Sequence, residues 1–100
     1  MLKKFLKKPM TTFQKKVYEI VKKIPKGKVL TYKRVAKLAG KPKAYRLVGS
    51  ILNKNRDSKI PCHRVIKSNR KIGGYRNEIN KKVALLKKEG VVIKNWRVIA

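Results

Sequence analysis

TYKRVAKLAGKPKAYRLVGSILN, residues 31–53, is the stretch that decides the fold. Thr31 has the side chain of a helix N-cap and precedes a short helical run, Tyr32 to Ala39. Gly40 and Pro42 stop that run. A second helix is predicted from about Lys43 to Asn53, with Ala44, Leu47, Val48, Ile51 and Leu52 on its buried face. The opposite face shows Tyr45, Arg46, Gly49, Ser50 and Asn53. Two short helices joined by a glycine-containing turn form the helix-turn-helix pattern, whose second helix reads DNA. A face as slim as Gly49 and Ser50 suits close approach to a groove floor, the narrow minor groove included. The same two residues equally suit close contact between helices, and the pattern alone leaves both readings open.

On the N-terminal side, Thr11 stands three residues before Gln14, the spacing of a capping box. Phe13, Val17, Ile20, Val21 and Ile24 then recur at helical spacing, until Pro25 and Gly27 end the helix. Residues 1–10 read as a basic, poorly ordered lead-in closed by Pro9, and residues 11–100 as one domain. On the C-terminal side, Asn53 to Ser58 is turn-prone, Ile60 to Ile66 apolar and extended, and Ser68 to Tyr75 a basic loop. Asn77 is placed to cap a last helix with Ile79, Val83 and Leu86 inward and Gly90 as its terminator. The tail from Val91 to Ala100, with Trp96, reads as a strand or a packed extension. The expected class is mostly α, a small winged-helix-like domain with short extended segments.

Charge narrows the partner. Thirty Lys+Arg against four Asp+Glu give a formal net charge of +26, while 42% hydrophobic residues still allow a core. Such a surface repels itself unless it meets a polyanion, and a basic domain of this kind is usually a nucleic-acid binder. Lysine-rich, cysteine-poor composition is also a hyperthermophile trait, but that trait brings glutamate, which is scarce here. No long apolar span and no secretory h-region is present, so the expectation is a cytoplasmic monomer, nucleoid-associated through DNA, with no membrane partner.

The chemistry concentrates at Pro61-Cys62-His63-Arg64-Val65, which holds the only cysteine and the only histidine. One Cys and one His cannot fill a structural zinc site, and a single Cys makes no internal disulfide. The thiol is therefore either buried filler or a reagent. A thiol reacts as its thiolate, and imidazole or cationic surroundings lower its pKa from about 8.5. In a plain strand Cys62 and His63 would point to opposite faces, so cooperation requires a turn after Pro61. Glu89 falls in the last turn of its helix, where the macrodipole disfavours an acid. It is either exposed and unimportant or held by a histidine or an arginine.

These pieces, in this order, resemble the methylated-DNA–protein-cysteine methyltransferases (6-O-methylguanine–DNA alkyltransferases) from Thr11 to about Gly90. Ile60-Pro61-Cys62-His63-Arg64-Val65 resembles the family's active-site motif. Gly27-Lys28-Val29-Leu30-Thr31-Tyr32 resembles the segment carrying its DNA-contacting tyrosine. Pro42 to Gly49 resembles its recognition helix, with Arg46 in the place of the arginine finger. Asn55 falls at the hinge asparagine, and Gly74-Tyr75 with Lys82 to Gly90 at the closing loop and helix.

The resemblance implies direct-reversal DNA repair without cofactor or metal. The helix-turn-helix would sit in the minor groove of duplex DNA containing 6-O-alkylguanine, with Lys43, Tyr45, Gly49 and Ser50 on the contact face. Arg46 would enter the stack, and Tyr32 would press the phosphate and hydrogen-bond the extruded guanine. Cys62 would attack the alkyl carbon, His63 would take the thiol proton through a water, and Glu89 would orient His63. Asn55 would brace the turn, while Tyr75 and the backbone near Val65 would line the base pocket. The thioether product is irreversible, so the protein would act once.

Three departures stand out. Many members carry an N-terminal domain with no counterpart in this sequence. The Asn55-to-Cys62 stretch is one residue short of a common spacing, and Asn77-Glu78 replaces the glycine or tryptophan-glycine that often follows the tyrosine. The rival reading is the alkyltransferase-like proteins, which flip damaged guanine without repairing it and typically carry tryptophan at the nucleophile's place. Cys62 argues against it. A DNA-compacting or ribosomal protein would explain the charge but not the ordered motifs.

Overall fold

The computed structural model describes residues 11–55, 57–72 and 79–99. Expectations for residues 1–10, Tyr75 and Asn77-Glu78 lie outside them. The described elements run in the order α1 (Thr12–Lys22), β1 (Leu30–Thr31), α2 (Tyr32–Leu38) and α3 (Tyr45–Asn53). A 3-10 turn (Cys62–Arg64) leads into β2 (Val65–Ile66), followed by α4 (Ile79–Lys88), β3 (Ile93–Lys94) and β4 (Arg97–Val98). No described helix is long and apolar enough to cross a membrane.

The local signals explain the helix ends. Thr11 Oγ1 accepts from the Gln14 amide at 3.1 Å, and Gln14 Oε1 accepts from the Thr11 amide at 2.9 Å, closing the predicted capping box on α1. Thr31 Oγ1 accepts from the Arg34 amide at 3.0 Å and starts α2. At the other end of α2, Gly40 takes φ +95. Its amide donates to Lys37 O, and the Lys41 amide to Ala36 O. That is a Schellman cap, which a residue with Cβ adopts only under strain, so the glycine makes the sharp helix-turn-helix angle. Gly90 repeats the motif after α4, with Val91 and Leu86 buried together beneath it.

The centre is a two-residue parallel pair, β1 with β2, in the register Leu30↔Val65 and Thr31↔Ile66. Successive strand residues point to opposite faces. Val65 therefore enters the helical core of Phe13, Val17, Val21, Val35, Val48 and Ile51, and Ile66 enters a second cluster with Ile72, Leu86, Val91 and Val98. The small β pair thus joins the helix-turn-helix to the C-terminal part and puts Cys62 at the seam.

One expectation changes. Leu47 is 48% exposed rather than buried. It lies about 100° round the helix from Val48, at the edge of the narrow stripe formed by Val48, Ile51 and Leu52. The tail takes the strand alternative, an antiparallel hairpin of β3 with β4, and Trp96 sits in its turn, 52% exposed.

Candidate active site and recognition face

Cys62 and His63 line one cleft because the backbone turns after Pro61, which holds φ -77 and ψ 71. The Arg64 amide donates to Pro61 O at 3.0 Å, closing one 3-10 turn. Residues in such a turn are spaced by about a third of a circle rather than half. Cys62 therefore enters the core while His63 faces the end of α4.

Four influences act on the Cys62 thiol: burial, which raises its pKa, and Asn55, Lys82 and a backbone hydrogen bond, which lower it. Asn55 Nδ2 donates to Cys62 Sγ at 3.1 Å and to Asp57 O at 3.0 Å, while Asn55 Oδ1 accepts from the Asp57 amide at 3.0 Å. One asparagine thus closes the turn and touches the thiol. The charge of Lys82 also favours the thiolate. Burial nonetheless dominates: it pushes the Cys62 thiol up, against the lowering by Asn55 and Lys82. This corrects the expectation of a depressed pKa. At neutral pH the resting form is the thiol, and reaction requires a base.

The candidate base, His63, stands next in the chain. His63 Nε2 donates to Glu89 Oε2 at 2.9 Å, which leaves Nδ1 as the ring atom able to accept a proton. Arg64 grips the same carboxylate in a fork, Nε to Oε1 at 2.9 Å and Nη2 to Oε2 at 2.7 Å, and its Nη1 donates to Ile24 O at 2.6 Å. The fork holds the Glu89 carboxyl down at about 2, with burial opposing and His63 assisting. Glu89 is thus ionised throughout the ordinary pH range and accepts the His63 hydrogen bond as a carboxylate. Its awkward place after the helix is explained by two partners rather than one.

Lys82 had no signal in the lysine-rich run of α4. It is fully buried, donates from Nζ to Val65 O at 2.7 Å and lies 5.7 Å from the centre of the Tyr32 ring. Burial pulls it down to about 8, with the Cys62 charge acting the other way. Only the fold distinguishes this lysine from its exposed neighbour Lys81.

Two clefts open near these residues, one at the thiol and one on the α3 face. One of about 380 Å³ is lined by Asn55, Cys62, His63, Lys82 and Leu85, among others. The other, of about 350 Å³, is lined by Tyr32, Tyr45, Arg46, Gly49 and the Lys67–Asn69 loop. Tyr32 touches the second cleft, and its charge couples to Cys62. Burial, then the Cys62 charge, pushes its phenol up to about 12, so its hydroxyl is a standing hydrogen-bond donor. Arg46, Lys43 and Ser50 are exposed on or beside α3, and the Tyr45 ring centre lies 5.8 Å from the Lys33 ammonium. A Cβ added at Gly49 would meet only a Tyr32 ring carbon at 3.9 Å, an ordinary contact. Helix packing therefore does not require glycine there. The Val65 side chain lies in the core, away from both clefts, and its carbonyl is taken by Lys82. Among the described residues, no three His, Cys, Asp or Glu gather as a metal site.

Comparison with known proteins agrees with this arrangement. The family model described as 6-O-methylguanine DNA methyltransferase, DNA binding domain, matches residues 12–91. The methylated-DNA–protein-cysteine methyltransferase of Kluyveromyces lactis is 46% identical over 83 residues, 82% of this chain and 44% of that protein. The Methanosarcina acetivorans enzyme of the same name is 48% identical over 81 residues, 80% of this chain and 52% of its own. This chain thus spans about half the length of those relatives.

Among solved structures, S. pombe Atl1 in complex with damaged DNA containing O6-carboxymethylguanine superposes with TM-score 0.78 at 35% identity, covering 87% of this chain and 83% of that one. Mycobacterium tuberculosis OGT in complex with DNA gives TM-score 0.75 at 38% identity, over 82% and 51%. Matching family, relatives and fold over most of its length, the chain belongs to the 6-O-methylguanine DNA methyltransferase family through its DNA-binding domain.

Proposed function

We propose that this protein repairs alkylated DNA by irreversible transfer of the alkyl group from 6-O-alkylguanine to Cys62. The observation that carries the reading is the buried thiol held by Asn55 beside a histidine whose far nitrogen is fixed by Glu89. Duplex DNA would meet α3 through its minor groove, with Lys43, Tyr45, Gly49 and Ser50 at the contact. Arg46 fills the place of the extruded nucleotide, and Tyr32 presses on its phosphate. Extrusion costs a few kcal/mol, least for a damaged base.

The thiol proton passes through a water to His63 Nδ1, while Glu89, already ionised by Arg64, holds the other ring nitrogen in place. Cys62 sulfur attacks the alkyl carbon. The S–C bond forms as the carbon–oxygen bond breaks, and the guanine leaves with the electron pair. The Tyr32 hydroxyl hydrogen-bonds the purine as that charge develops, and Lys82 favours the attacking thiolate. The thioether has no route back, so each molecule acts once.

A second reading has one observation in its favour: S. pombe Atl1 on damaged DNA superposes with TM-score 0.78, against 0.75 for the Mycobacterium tuberculosis OGT complex with DNA. In that reading the protein marks damage without repairing it.

Intact-protein mass spectrometry after incubation with a duplex carrying one 6-O-methylguanine separates the two. Repair adds one methyl mass on the Cys62 peptide, absent in Cys62→Ala, while that variant still binds the duplex. Tight, lesion-selective binding without mass gain would leave only the damage-marking reading.

A further inference from the structure

The C-terminal sheet carries a row of cations that the helix-turn-helix does not use. Lys94 pairs directly with Arg97 across the β3–β4 hairpin, and Arg97 pairs on its other side with Lys71. The Ile72 amide donates to Trp96 O and the Val98 amide to Arg70 O, both at 2.9 Å, which fixes the segment carrying Lys71 against β4. Directly paired residues of a sheet project from the same face. Lys94, Arg97 and Lys71 therefore stand side by side, all exposed. Like charges directly opposite destabilise a sheet. Among the described residues no carboxylate pairs with any of the three, since the ion pairs there all belong to Glu89.

The turn of the hairpin adds a second oddity. Asn95 and Trp96 sit at φ 52 and 63, the pair of left-handed conformations that a two-residue hairpin turn requires. Asparagine suits such a turn, whereas tryptophan is an unusual choice there and, half-exposed, gains little from core packing.

We infer that this sheet is a second DNA-backbone contact, a wing in which Lys71, Arg97 and Lys94 span phosphates of one strand while the Trp96 indole lies against the neighbouring sugars. Three cations across two strand spacings cover roughly 10 Å, the axial rise of about three phosphates on one strand. The position fits: Lys71 is two residues from Asn69, which lines the cleft beside Arg46. The wing thus continues the face proposed for α3, and it rests on the DNA-binding reading above.

Arg97→Glu provides the test, because it turns the row into alternating charges. The sheet is then stabilised, and the free protein melts a few degrees higher. Affinity for a 6-O-methylguanine duplex falls about tenfold or more at low salt. In Lys71→Gln/Lys94→Gln/Arg97→Gln the slope of log affinity against log salt becomes shallower by about 0.9 for each phosphate no longer neutralised. Trp96, the only tryptophan, reports directly: duplex quenches its emission in the wild type. Unchanged affinity and slope in both variants, with wild-type binding intact, overturn the wing alone. Absence of salt-dependent duplex binding by the wild type overturns the DNA reading as well. A Trp96 response to vesicles of anionic phospholipid and none to duplex would assign the sheet to a membrane surface and overturn the inference.

Discussion

Replacing Glu89 by glutamine keeps the shape of the side chain and removes the charge that Arg64 and His63 share. The carboxyl sits at about 2 in the fold against an ordinary 4.5. Each pKa unit corresponds to about 1.4 kcal/mol, so the charge contributes at most about 3.5 kcal/mol at neutral pH. The side chains of Glu89 and Arg64 are only 11% and 12% exposed, so screening by solvent removes little of that. Breaking one partner from a buried pair typically costs about 3–5 kcal/mol, which agrees.

The sign of the pH dependence follows. A depressed carboxyl stabilises fully above its unfolded pKa and loses that contribution as pH falls through the folded one. Urea unfolding of the wild type should therefore lose about 3 kcal/mol between about pH 4.5 and 2 beyond what Glu89→Gln loses. At pH 7 the variant should be less stable by about 2–3 kcal/mol, and the two should converge near pH 2. A difference under about 1 kcal/mol at pH 7, or one that persists undiminished at pH 2, would refute the carboxylate as the electrostatic keystone of the site.

Gly49→Ala should stabilise α3 by about 0.5–1 kcal/mol, because the added Cβ meets only an ordinary contact. It should weaken duplex binding if α3 sits against the groove floor, so a thermal melt that rises with binding unchanged would remove Gly49 from the interface. Lys82→Met should shift the pH profile of Cys62 alkylation by iodoacetamide upward, since the cation favouring the thiolate is gone. Cys62 is the only cysteine, so the label is unambiguous; an unmoved profile would mean that Lys82 does not act on the thiol.

Much of the helical frame is legible in the sequence because its determinants are local. Thr11 with Gln14, Thr31, Gly40 and Gly90 each act on backbone groups within a few residues, so their roles survive folding unchanged. The motif around Cys62 is equally plain, since a lone cysteine and a lone histidine in a lysine-rich chain have few other uses. Leu47 escapes such a reading because hydrophobic spacing defines a stripe but not its width, and the narrow contact of α3 leaves the edge residue in solvent. Trp96 escapes it because a large apolar residue looks like core until the hairpin places it in a turn.

By itself, then, the amino-acid order determined the helix-turn-helix, the identity of the thiol and the polyanion-seeking charge, all of which depend on near neighbours or on sums. Only the tertiary structure decided that Glu89 serves both His63 and Arg64, that Lys82 alone among the lysines of its helix is buried near the thiol, and that burial raises the Cys62 pKa. It also aligned Lys71, Arg97 and Lys94 into one row. Those facts join residues far apart in the chain, and the free energy of a buried charge depends on what surrounds it in space, which no local pattern records.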